Sequence, residues 1–130
     1  KISRMSEENK HVKNAKNKEE HDRMIDEWPG LSIVDYFTPS WRPFREMDTM
    51  FEDMAWEMNE EVWFIWADLD HDDFWEEIPA LPHYRFFKKN KRVDHLDGAY
   101  KEVFWEKVEK HAKKTDEGEW EEEEKKVTSF

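Results

Sequence analysis

Cysteine does not occur among the 130 residues. Disulfides, thiolate nucleophiles and thiolate metal ligands are therefore excluded, and no thiol remains from which a redox compartment could be read. Glycine is scarce too, at three residues, and no glycine-rich phosphate loop can be assembled from them. No run reaches the roughly 18 to 20 uncharged apolar residues that a membrane helix needs. A signal peptide is not visible either; the chain starts at Lys1, where a removed leader would leave the same beginning. The six histidines, at 11, 21, 71, 83, 95 and 111, have no zinc spacing. No Ser-His-Asp arrangement accompanies them.

What the chain does have is acid and aromatic area. Its 33 acidic against 21 basic residues give a formal net charge of −12. Such a surface repels phosphate backbones and anionic lipid, so nucleic acid and membrane are not expected partners. Aromatics are 15% of the chain, with eight Trp and nine Phe. That is too much large apolar area for a disordered chain, even with 42% charged residues. The apolar residues cluster between positions 24 and 108. One domain over 21–113 is expected, between a charged, partly helical extension at 1–20 and an acidic tail at 114–130.

Within that centre the hydrophobic period alternates. Met24, Ile25 and Trp28 fall one turn apart and end a helix at Pro29-Gly30. LSIVDYF at 31–37 predicts a strand covered on both faces. After a loop with two prolines, Met47, Met50, Phe51, Met54 and Met58 repeat at helical steps. EVWFIWADL at 61–69 is a second apolar strand, and the acidic stretch 70–77 is a turn with at most a short helix. YRFFK at 84–88 and the segment 92–96 form a hairpin around Asn90, which tolerates the left-handed conformation. A last helix over 99–112 places Val103, Phe104, Val108 and Ala112 on one face. This order argues an α/β domain with a mixed central sheet flanked by helices and closed by an antiparallel hairpin.

The stretch LPHYRFFKKNKRV at 81–93, followed by LDGAYKE at 96–102, resembles the thioredoxin family. There an apolar-Pro-Thr run leads into a strand ending Phe-Phe-Lys, a turn, a Val strand, and Gly-Ala at the last helix. The strand at 31–37 with its Asp35 resembles the family's central strand with its buried acid, and 62–70 resembles the strand ending Asp-x-Asp. The likeness covers about 24–112. It implies a thioredoxin-like fold and a cis peptide bond at Pro82. The family's Trp-Cys-x-Pro-Cys-Lys falls on Ser40-Trp41-Arg42-Pro43-Phe44-Arg45 when counted from Asp35 without gaps. With no cysteine in the chain, no alignment of this loop leaves a thiolate to attack a disulfide, so no redox enzyme is expected.

By resemblance, a peptide groove lies beside the cis-proline, here lined by Trp41, Arg42, Pro43, Phe44, Leu81, Pro82 and Gly98. Trp, Phe and Arg are residue types that anchor interfaces; the two aromatics either line such a surface or fold inward and fill space. The family's charged residue beside the buried acid falls on Trp66. Asp35 is then a vestige, protonated or hydrogen-bonded. The resulting expectation is a redox-inactive, non-enzymatic module that binds a protein or extended peptide, without cofactor or metal, as a subunit of an assembly or a homodimer. The alternative is an acidic luminal or secreted calcium-buffering protein of the same fold. The acidic run Asp68, Asp70, His71, Asp72 and Asp73 lacks the glycine and alternation of a calcium loop, and a helix start accounts for it as well. The compartment stays open between the cytoplasm and the lumen or exterior. His83, beside Pro82, is expected to be solvated or at a strand edge.

Overall fold

Unbroken runs of buried, mostly apolar residues at 31–36 and 64–67 let both faces of one sheet be covered. The computed structural model describes residues 11–70 and 78–113. In chain order the elements are β1 (Val12–Ala15), α1 (Lys18–Glu27), β2 (Leu31–Phe37), α2 (Arg45–Met58), β3 (Val62–Asp68), β4 (His83–Lys88), β5 (Lys91–Asp97) and α3 (Lys101–His111). The sheet order is β1-β3-β2-β4-β5. β3 runs parallel to both β1 and β2, while β4 is antiparallel to β2 and to β5. The architecture is the mixed α/β sheet with a closing hairpin that the sequence predicts.

Strand β2 is central, and six of its seven residues are buried. Its odd side chains Leu31 and Ile33 face α2 and α3, packing with Met47, Phe51, Phe104 and Val108. Its even side chains Val34 and Tyr36 join Ile25 of α1 on the other face. A strand buried on both faces reads as a nearly continuous apolar run, and for that reason LSIVDYF stands out in the sequence in spite of its buried Ser32 and Asp35.

The amino-terminal boundary differs from the expectation. Val12–Ala15, assigned above to the extension, is an edge strand whose Val12 pairs with Phe64. Only Val12 and Ala15 of its four residues are buried, so four letters, half of them polar, carried no strand pattern. Helix α1 also begins earlier, at Lys18. Its start is an Asn-x-x-Glu box: Glu20 N–H donates to Asn17 Oδ1 at 2.9 Å, and Lys16 N–H donates to Glu20 Oε1 at 2.8 Å. Trp28 lies beyond the helix and stacks on Trp63 at 5.2 Å. The short helix considered within 70–77 and the tail from 114 lie outside the described residues, except Asp70.

Two further differences concern side-chain direction. Val103 of α3 is 38% exposed, whereas Phe104, Val108 and His111 are buried. The face toward the sheet runs through 104, 108 and 111, and position 103 lies about 100° round the helix from 104. His83 is not solvated: it is 1% exposed, shares a hydrogen bond with Asp97, and accepts one from Arg85 Nε at 2.9 Å. Burial holds its pKa below the usual histidine value, against the pull of Asp97. The hairpin turn uses positive φ at both Lys89 and Asn90, the backbone that matches strand twist.

Candidate functional site

The loop from β2 to α2 and the loop entering β4 meet at one end of the sheet. The first is pinned at three points. Trp41 N–H donates to Thr38 O at 3.0 Å, Thr38 Oγ1 to Trp41 O at 3.3 Å, and Ser40 N–H to Asp70 Oδ2 at 3.1 Å. Across from it, the Leu81–Pro82 peptide bond is cis. Pro82 O accepts the Gly98 N–H at 2.9 Å, which joins this loop to the approach to α3. Gly98 has φ +110°, and a Cβ there would meet the Tyr100 ring at 2.5 Å; only glycine fits.

Between the two loops lies a narrow cleft lined by Asp35, Tyr36, Phe37, Trp41, Arg42, Phe44, Asp48, Leu81 and Pro82. The pair Trp41 and Phe44 divides its roles. Trp41 is 54% exposed, and its ring meets Phe44 edge-on at 5.2 Å. Phe44 is partly buried against the core beneath α2 and α3.

Arg42 folds back under the loop. Its guanidinium sits 4.1 Å from the Phe37 ring centroid and 5.8 Å from that of Trp66. Its Nη2 is 3.0 Å from Asp48 Oδ1. Behind it, Asp35 pairs in register with Trp66 of β3 and Tyr84 of β4. Asp35 Oδ2, Trp66 Nε1 and Tyr84 Oη are buried with no hydrogen-bond partner among the described residues. Burial raises the Asp35 pKa to about 8; Asp48 adds to the rise and Arg42 opposes it. Burial also raises Asp48 above its ordinary value against the pull of Arg42. Tyr84 is pushed up by burial, then by Asp35 and Asp48.

No protein-family model matches the sequence, and no curated protein matches it. The backbone does have solved counterparts. The thioredoxin of Plasmodium falciparum is 26% identical with a TM-score of 0.68, covering 77% of this chain and 99% of that one. For Fasciola hepatica thioredoxin the values are 26% and 0.68, covering 76% and 98%. Malassezia sympodialis thioredoxin, at 19% identity and TM-score 0.69, covers 78% and 94% and is alike in fold. The chain is a thioredoxin-like domain without the Cys-x-x-Cys motif.

Disulfide exchange by this thioredoxin-like domain has no thiol to proceed through. Of the residues singled out from the sequence, the structure brings Trp41, Arg42, Phe44, Leu81 and Pro82 together, with Asp35 behind them. Pro43 is exposed and outside the lining, and Gly98 joins only through its bond to Pro82.

Asp48 and Phe37 were missed. Asp48 falls outside the apolar period by which α2 is legible, and its signal in the sequence is the pair Arg42 and Arg45, six and three positions before it. The expectation that Asp35 has no charged group beside it is also corrected: the loop brings Arg42 into its field, in place of a cation on β3. Among the described residues, no three His, Asp or Glu side chains group as a metal site. The positions 71–73 of the acidic run lie outside them.

The Arg42–Asp48 pair is well shielded, with side chains 19% and 13% exposed. Arg42→Ala is expected to cost about 1–3 kcal/mol by leaving Asp48 without that partner, seen as a lower urea midpoint. The same variant moves the Asp35 titration higher, because Arg42 is the group holding it down. Carbon-13 NMR of the carboxyl measures that directly.

Proposed function

We propose that this thioredoxin-like domain is a non-catalytic interaction module that receives a segment of another protein in the cleft beside Pro82. The observation that carries the reading is Trp41, a large aromatic more than half exposed on a loop held by three hydrogen bonds. Exposing such a side chain is unfavourable by the area it leaves in water, and a rigidly presented Trp is what interface anchors look like. The neighbouring walls, Phe44, Leu81 and Pro82, are apolar. Phe44 supports the loop from inside, so Trp41 is the position that separates binding from folding.

Peptides selected from a displayed random library against the wild-type protein supply the test. Trp41→Ala is expected to weaken selected peptides by tenfold or more, about 1.4 kcal/mol or above, while changing stability by less than about 0.5 kcal/mol. Amide shifts on titration should centre on Leu81, Gly98 and the loop. Equal affinity for both proteins, or shifts confined to another face, removes the reading.

A further inference from the structure

Carboxylates outnumber free cations around this cleft. Asp35 and Asp48 line it. Asp70 holds the loop at one side through Ser40, and Asp97 precedes the Gly98 that bonds Pro82 on the other. Arg42 is turned to Asp48 at 3.0 Å and Lys101 to Glu46 at 3.8 Å; Arg85 lies over the Tyr36 ring and donates to His83, and Arg45 stands in the first turn of α2.

Asp35 is 2% exposed, and its Oδ2 is unpartnered while lining the cleft. Beside it in register stand Trp66 of β3 and Tyr84 of β4, and the charges that act on it are those of Arg42 from the loop and Asp48 from α2. One guanidinium therefore serves two carboxyl groups. With both ionised the pocket is one positive charge short, and in the free protein a proton on Asp35 makes up the difference.

We propose that the segment received here presents a lysine or arginine side chain whose cation seats against Asp35 and Asp48. This rests on the reading of the cleft as a segment-binding site. Three observations agree with a cation there. The cleft already holds Arg42 against the Phe37 and Trp66 rings, so its walls suit a guanidinium or ammonium. Trp41 at 54% and Tyr100 at 60% exposure offer further ring faces nearby for the aliphatic stem. The whole chain, at −12, favours the approach of basic partners.

The seated cation takes the place of the Asp35 proton, so binding releases one proton wherever the free protein still holds it. Affinity then rises with pH, by up to about tenfold per unit, below the free-state pKa of about 8. Above that pH it levels off.

The probes are a capped nonapeptide of alternating serine and valine with lysine at its centre, and its norleucine and glutamate counterparts. Calorimetry in two buffers of different ionisation enthalpy measures affinity and proton release together. The lysine peptide is expected to bind at least about tenfold tighter than norleucine at pH 8, releasing close to one proton at pH 7. In Asp35→Asn the proton release and the rise with pH fall to the smaller part that Asp48 contributes. Norleucine or glutamate binding as tightly as lysine, or lysine binding without proton release, overturns the basic-segment inference and leaves the cleft reading standing. If none of the three binds, the cleft reading and this inference fall together.

Discussion

Asp35→Val is expected to stabilise the protein at pH 8 by about 3–5 kcal/mol and to remove most of the slope of stability between pH 4 and 8. The wild-type carboxyl is 2% exposed, its Oδ2 lacks a partner, and its pKa goes from 3.8 to about 8 on folding. In the unfolded chain that proton is released near pH 4. Over the window between the two values the folded state holds a proton that the unfolded state does not, so stability falls as pH rises. At about 1.4 kcal/mol per pH unit, a window of about four units amounts to roughly 5 kcal/mol. Above pH 8 both states are ionised and the slope from this group ends.

Valine carries no titrating group, fits the β geometry and puts no polar atom at position 35, while Trp66 Nε1 and Tyr84 Oη stay as they are. Asp48, raised in the same direction, keeps a residual slope in the variant. Denaturant midpoints at pH 5, 7 and 9 decide the matter; parallel curves for the two proteins would show that Asp35 is solvated or partnered in solution.

A second large effect is expected at Phe104. Its ring is fully buried, with centroids 4.9 Å from Tyr84, 5.7 Å from Phe86 and 6.2 Å from Phe51. It is the largest side chain that α3 lays on the sheet. Phe104→Ala removes those contacts and opens a cavity that the stiff strands beneath cannot collapse into, costing about 3–5 kcal/mol. The far end of α3 is tied separately, since Asp94 of β5 takes Lys107 Nζ and His111 Nε2 at 2.8 Å each. Hydrogen exchange should therefore quicken first in the opening turns of α3. Val103→Ala, one position away but 38% exposed, serves as the control and is expected within about 0.5 kcal/mol of wild type. Equal losses at both positions would mean that α3 packs in another rotation.

The contrast between 103 and 104 shows where sequence reading stopped. Both are apolar, and spacing alone put both on the same face; the rotation of the helix was fixed by three aromatic rings on strand β4 and helix α2. β1 was lost for the opposite reason. A four-residue edge strand with two polar members has no pattern of its own, and only the parallel ladder to Phe64 and its neighbours makes it a strand. By contrast β2, β3 and the β4–β5 hairpin were legible because strands covered on both faces, or turning at Asn90, must be built from particular residues. At the cleft, the candidates Trp41, Arg42, Phe44, Leu81 and Pro82 were legible from the family-like run and the aligned loop. Which way each one faces was not.

The amino-acid sequence by itself determined the absence of sulfur chemistry, the acidic surface and the alternation of strand with helix. Composition is absolute and hydrophobic period is local, so neither depends on distant neighbours. Only the tertiary structure decided that Trp41 points out while Phe44 turns in, and that Arg42 lies between Phe37 and Asp48 in front of a buried Asp35. Those arrangements are settled by contacts between segments tens of residues apart, where burial and charge compete over a few ångströms.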